Sequence, residues 1–222
     1  MEMRAGFRKS LRGIEDSILM MGGMVADSLD RSMEALKNRD LVLAQKVIDN
    51  DAGINNKRFE IENKCIEVIA TQQPLASDLR VIIAALNIIV ELERIGDYGV
   101  GNARIAIMIG DEPPLKPLID LPRMTEKTID MLKRSLKAYI NLDAGAAKQI
   151  GQEDIDIDNL YDQIYRELVL FMVSDPRTIT RATRLMWVAH NLERGADRVT
   201  NICERIVFLV TGKMEESEDS KY

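Results

Sequence analysis

ELERIGDYGVGN (residues 91–102) closes an apolar run, VIIAALNIIV (81–90), and its pattern returns one hundred residues later in NLERGADRVTN (191–201). Both copies carry carboxylates four residues apart, Glu93 with Asp97 and Glu193 with Asp197. A helix turns about 100° per residue, so Glu193, Asp197 and Asn201 share an arc of about 80°, and His190 falls within it. Outward from these stretches, apolar residues keep helical spacing. Phe7, Leu11, Ile14, Ile18, Met21 and Val25 step by four and three, and the stripe drifts on to Leu29, Met33 and Leu36. Sustained over several turns, that is the seam of a long packed helix. No alternating, β-branched stretch bounded by hairpin turns occurs, and the fold class read from the pattern is all-α.

The prolines set the layout. Four of the six stand in DEPPLKPLIDLPR (111–123), which cannot be helical throughout. Pro74 and Pro176 each mark the start of a helix that leads into one of the carboxylate stretches, a position where the missing N–H is no loss. Asp40 and Asp143 follow short polar breaks and suit N-caps. Helices are expected over 6–37, 41–71 and 76–109, and again over 123–141, 144–173 and 177–211, with short connections favouring antiparallel neighbours. MVADSLDRSMEAL (24–36) lies over MTEKTIDMLKRSL (124–136), and NDAGIN (50–55) over EDIDID (153–158). The chain therefore reads as two tandem, pseudo-symmetric three-helix bundles. Residues 1–110 form the first, 111–123 the linker and the start of the next helix, 124–212 the second, and 213–222 a charged tail expected to be disordered.

Composition removes several function classes. The net charge is −6 and aromatics are only 5%, which argues against phosphate-backbone binding and base stacking, so nucleic acid is not an expected partner. Cys65 and Cys203 are far apart and without metal or redox spacing, and read as buried small apolar residues in a reducing compartment. The N-terminus has no signal-peptide pattern, and no apolar run approaches the roughly 18 residues of a membrane span. A cytoplasmic location is expected, peripheral to the membrane through partners. With a single histidine there is no HExxH site and no pair of ExxH motifs. Nothing in the pattern points to catalysis.

The repeated carboxylates leave two readings open. The second helix of the second half offers Asp154 and Asp158, with Asp162 one turn on; its first-half counterparts are Asp51 and Asn55. Were the second and third helices of each half neighbours, each half would gather oxygen ligands from two helices, as bundle proteins do for hard or borderline cations. Equally, two carboxylates at i, i+4 cost only about 0.2–0.5 kcal/mol on a wet helix face. His190 reads as a satisfied helix residue, since Val90 stands at its place in the first half.

QQPLASDLR (72–80), ELERIGD (91–97) and NLERGADRVTNICERIVFLVTG (191–212) carry a resemblance that spans nearly the whole chain. The sequence resembles the PhoU family of phosphate-signalling and phosphate-transport accessory proteins. That resemblance implies paired three-helix bundles, no enzymatic activity, and a negative regulator of the phosphate-starvation response and of phosphate uptake. Such a regulator bridges the ATPase subunit of the phosphate ABC transporter and a membrane sensor histidine kinase. It further implies iron or zinc, another divalent metal or none, held by acidic pairs. Those pairs fall on Glu93 with Asp97, Glu193 with Asp197, and Asp154 with Asp158. The fourth is Asp51 with Asn55, where an amide replaces a carboxylate. Asn201 matches the asparagine after the motif, whereas Gly101 stands there in the first half, so the second half is the stronger metal candidate. Docking is expected near Asp78, Arg80 and Arg94. The alternatives are a metal-binding helical scaffold and an accessory of a different phosphate transporter. Abundant apolar, Met-rich helix surface favours a homodimer.

Overall fold

A computed structural model of the chain describes residues 2–213, with side chains from Gly6 onward; most of the expected tail, 214–222, lies outside the described residues. Seven α-helices and no strand occur among them: α1 (Glu2–Asn38), α2 (Leu41–Gln72), α3 (Ser77–Ile109), α4 (Asp120–Asn141), α5 (Ala144–Gln152), α6 (Asp154–Ser174) and α7 (Ile179–Thr211). The fold is all-α, with α1–α3 as one bundle and α4–α7 as the other. The α1 seam is buried as its spacing requires. Ile18, Met21, Val25 and Leu29 are fully enclosed, and Phe7 and Leu11 pack against the edge of the core. Each such aliphatic side chain contributes about 1.5–3 kcal/mol by leaving water.

Local chemistry sets the helix starts. Asp40 accepts a hydrogen bond from the Leu43 N–H at 2.8 Å, and Asp143 from the Ala146 N–H at 2.9 Å. Each satisfies one of the donors that a helix N-terminus leaves unpaired. Asp143→Ala should therefore lower stability by about 1 kcal/mol, read as a drop of about 2–4 °C in Tm for a chain of this size. A melting curve superimposing on that of the parent chain would show the cap to be dispensable.

Two expectations are corrected. Pro74 lies outside α3, in the turn before the N-cap Ala76, whose φ of 47° is a left-handed value. Pro176 opens a 3-10 turn (Pro176–Thr178) that leads into α7. The helix expected over 144–173 is broken at Glu153 into α5 and α6. Gly151, a weak helix former, precedes the break. Arg134 of α4 grips the Glu153 carboxylate with both terminal nitrogens, one at 2.8 Å. The new N-terminus of α6 carries Asp154 and Asp156 in its first turn, where the helix dipole favours negative charge. The break thus delivers Asp154 to a helix start.

The bundles meet along α3 with α7 and α1 with α4. Arg80 lies 5.7 Å over the Phe208 ring, Glu91 meets Arg198 and Asn201, and Asn102 meets Asn191, so α3 and α7 run antiparallel. Small polar residues of α4 are buried too, Thr128 facing Gly195 of α7. Thr125 and Thr128 turn their hydroxyls onto carbonyls four residues back, each at 2.9 Å, and so need no partner across the seam. The Pro-rich linker is tied to the bundles by Arg181, which donates to the Pro113 carbonyl at 2.9 Å, and by Arg39, which donates to that of Asp111 at 3.2 Å. Cys65 and Cys203 are buried free thiols, pushed up to about 11 and about 12 chiefly by burial. No described helix is long and apolar enough to cross a membrane.

Candidate functional site: two unequal carboxylate patches

In the second half, α6 supplies Asp154 and Asp158 and α7 supplies Glu193 and Asp197 to one electrostatically coupled patch. Burial raises the Asp154 carboxyl to about 7, with Asp158, Asp197 and Glu193 adding to the shift. Burial likewise takes Glu193 to about 7, reinforced by Asp197 and Asp158 and opposed by Arg194. Asp197 is also raised, by burial, although Arg194, Arg198 and His190 oppose it. Asp154 Oδ1 and Glu193 Oε2 are buried oxygens without a hydrogen-bond partner. His190 Nδ1 stands 3.5 Å from Glu193 Oε2, too far for a good hydrogen bond. Burial lowers the histidine's own pKa, so near neutral pH the contact is not a stable ion pair. His190 packs instead among aromatics, its ring centroid 5.7 Å from Trp187 and 6.3 Å from Tyr161.

The first half is built differently at the same places. Arg58 of α2 donates through Nη1 to Glu93 Oε1 at 3.1 Å, and Asn55 Nδ2 donates to Asp51 Oδ2 at 3.0 Å. Asp97 stands at the exposed rim, its carboxyl raised by partial burial and then by Glu93 and Asp51. Arg58, Val90, Glu93, Arg94, Asp97 and Tyr98 line an open depression of about 420 Å³. Arg58 escaped the sequence reading. Its signal was nonetheless there, since Asp51, Asn55 and Arg58 stand at i, i+4 and i+7 on one helix face.

The remaining candidates are placed elsewhere. Asn201 points across the bundle interface, where its Nδ2 donates to Glu91 Oε2 at 3.3 Å alongside Arg198 at 3.5 Å. Arg194 joins the two patches: it pairs with Asp197 at 3.2 Å and hydrogen-bonds Tyr98 of the first-half depression. Asp78 is exposed in the first turn of α3, Arg80 is tucked against the end of α7, and Arg94 is exposed.

The PhoU domain model matches this chain twice, over residues 18–106 and 121–206. The phosphate-specific transport system accessory protein PhoU homolog of Rhizobium meliloti is 37% identical over 218 residues, covering 98% of this chain and 92% of that protein. The chain belongs to the PhoU family. The Escherichia coli K12 accessory protein PhoU is 36% identical, covering 93% of this chain and 86% of its own length. The crystal structure of the phosphate transport system regulatory protein PhoU from Streptococcus pneumoniae superposes with a TM-score of 0.88 at 30% identity, over 95% of this chain and all of that one. PhoU from Pseudomonas aeruginosa gives the same score at 34% identity, over 93% of this chain. As a member of a family of accessory proteins, the chain is not an enzyme.

The two PhoU repeats differ in how well they fit a cation. Among the described residues no three Asp, Glu, His or Cys side chains are already drawn together as a ligand set. In the second half the orphaned Asp154 and Glu193 oxygens and the raised carboxyls describe negative charge short of a counter-ion, which a hard or borderline cation would supply after side-chain rotation. In the first half Glu93 and Asp51 already have donors, and the donor set does not fit.

Proposed function

We propose that this chain is a regulatory accessory of a phosphate transport system, acting as an adaptor that restrains phosphate uptake and holds the phosphate-starvation response off. The observation that carries this reading is its kinship, over nearly the full length, with accessory proteins of phosphate-specific transport. Its partners on this reading are the transporter's ATPase subunit and a membrane sensor histidine kinase, met by a cytoplasmic homodimer. The exposed Asp78 and Arg94, and Arg80 at the α3–α7 junction, belong to the docking surface. Regulation requires that a partner bind two states of the chain unequally. The acidic patch of the second half supplies one bias: iron, zinc or another divalent cation held by Asp154, Asp158, Glu193 and Asp197 would neutralise the patch where α6 meets α7.

The test is complementation in a bacterial host lacking its own PhoU and carrying a phosphate-responsive reporter. This chain should restore repression in phosphate-rich medium. Glu193→Ala/Asp197→Ala should lose both repression and the iron, zinc or manganese that elemental analysis finds on the gently purified protein. Failure to repress despite normal expression and ATPase-subunit binding would refute the adaptor role. Full repression by the double variant would separate the patch from regulation.

A further inference from the structure

We propose that in the first half Arg58 is itself the cation of the carboxylate patch, so that this half takes up no divalent metal and the two repeats divide their roles. The inference rests on the reading of such patches as metal-binding, and it assigns that property to one repeat only. The internal repeat makes the comparison direct. Asp51, Asn55 and Arg58 on α2 correspond to Asp154, Asp158 and Tyr161 on α6, and Glu93 and Asp97 on α3 to Glu193 and Asp197 on α7.

Arg58 and Glu93 are about three-quarters shielded from solvent, and their contact of 3.1 Å is a charge-assisted hydrogen bond between two helices. The Arg58 Nε is buried without an acceptor, and the guanidinium, 5.8 Å from the Phe59 ring centroid, has Glu93 as its carboxylate partner at the patch. Asn55 brings no charge and spends its amide on Asp51. Among the described residues, no carboxylate oxygen of the first-half patch is buried without a partner, whereas Asp154 and Glu193 of the second half each contribute one. A divalent ion approaching Glu93 would have to displace Arg58 and then sit beside its positive charge. Tyr161 presents no such charge. The first patch is thus closed by a resident side chain.

The experiment uses the full chain, stripped with chelator and titrated with Mn²⁺ by electron paramagnetic resonance. Glu193→Gln/Asp197→Asn serves as the background that silences the second half. That background should take up no stoichiometric Mn²⁺. Adding Arg58→Gln should raise first-half affinity at least tenfold, and adding Asp97→Asn should remove the gain. Arg58→Lys, which keeps the charge, should stay closed. Arg58→Tyr, the residue type of the other repeat, replaces Gln if circular dichroism shows the bundle loosened. One-to-one Mn²⁺ uptake by the background chain, lost on Glu93→Gln, would overturn the inference, as would an affinity indifferent to Arg58→Gln. Failure of the second-half reading is visible separately, as uptake by the parent chain that Glu193→Gln/Asp197→Asn leaves unchanged.

Discussion

Gly99→Val should destabilise the chain by about 3 kcal/mol, near the upper end of the cost of overpacking, and lower Tm by roughly 6–12 °C. The cause is the closeness of α1 and α3. A Cβ on Gly99 would lie 2.6 Å from Ser28 Oγ, 3.2 Å from the Ser28 carbonyl carbon and 3.3 Å from the Leu29 nitrogen. Rotating Ser28 relieves only the first clash. The other two are with backbone, so the helices themselves must part, and the fully buried Leu29, Val25 and Ile95 lose contact with them. The sign is informative because glycine inside a helix is otherwise a liability of about 1 kcal/mol relative to alanine. Gly23, in α1 with nothing within 4 Å of an added Cβ, supplies the control. Gly23→Ala should stabilise by about 0.5–1 kcal/mol, whereas Gly99→Ala should destabilise and Gly99→Val more so. Thermal and urea denaturation of the three variants would decide it. A Gly99→Val midpoint within a degree of the parent chain would mean that α1 and α3 do not approach this closely in solution.

The same glycine marks the boundary of what the sequence discloses. Helical periodicity, the linker prolines and the Asp40 and Asp143 caps are signals within single elements, and they placed five of the six expected helices to within a few residues. The spacing of Glu93 with Asp97 and of Glu193 with Asp197 disclosed which faces carry charge. Gly99 within GDYGVGN gave no hint that it admits the backbone of α1, because close approach is a property of two helices at once. The break at Glu153 was equally hidden. It depends on Arg134, nineteen residues earlier on another helix, against which the weak helix-breaking signal of Gly151 alone decides little. Asn201 shares the helical arc of Glu193 and Asp197, yet its amide is taken by Glu91 of the other bundle. Spacing on one helix names the residues that can act together, and the packing of a second helix selects among them.

That selection has a pH signature in the second half. Metal-free protein should lose stability as pH rises from about 4 to about 7, and Asp154→Asn should remove about half of the slope, leaving the share that Glu193 contributes. Asp154 has a pKa of about 7 when folded against 3.8 when unfolded, and Glu193 about 7 against 4.5. Between those values the folded chain holds protons that the unfolded chain has released, and stability falls with pH wherever the folded state binds more protons. The acids shifted the other way, among them Glu153 through Arg134 and Glu167 through Lys116, give stability present above their unfolded values and lost as pH falls below about 4.5. They act at the acid edge of this window and leave its upper part untouched. Asp154→Asn keeps the shape and removes the charge, so it should be more stable than the parent chain by about 2 kcal/mol at pH 8, after allowance for partial solvent screening. At pH 4 the two should be nearly equal. A divalent cation must reverse the relation, because it binds the ionised carboxylates. At a hundredfold excess over its Kd it should stabilise the parent chain by about 2.7 kcal/mol at pH 8, much less at pH 5, and not at all after Asp154→Asn. Chemical denaturation across pH, with chelator and with added metal, reads both effects. A chelated parent chain that grows more stable from pH 5 to pH 8 would place the Asp154 and Glu193 carboxyls in water, and the patch would then have no unmet charge for any cation to answer.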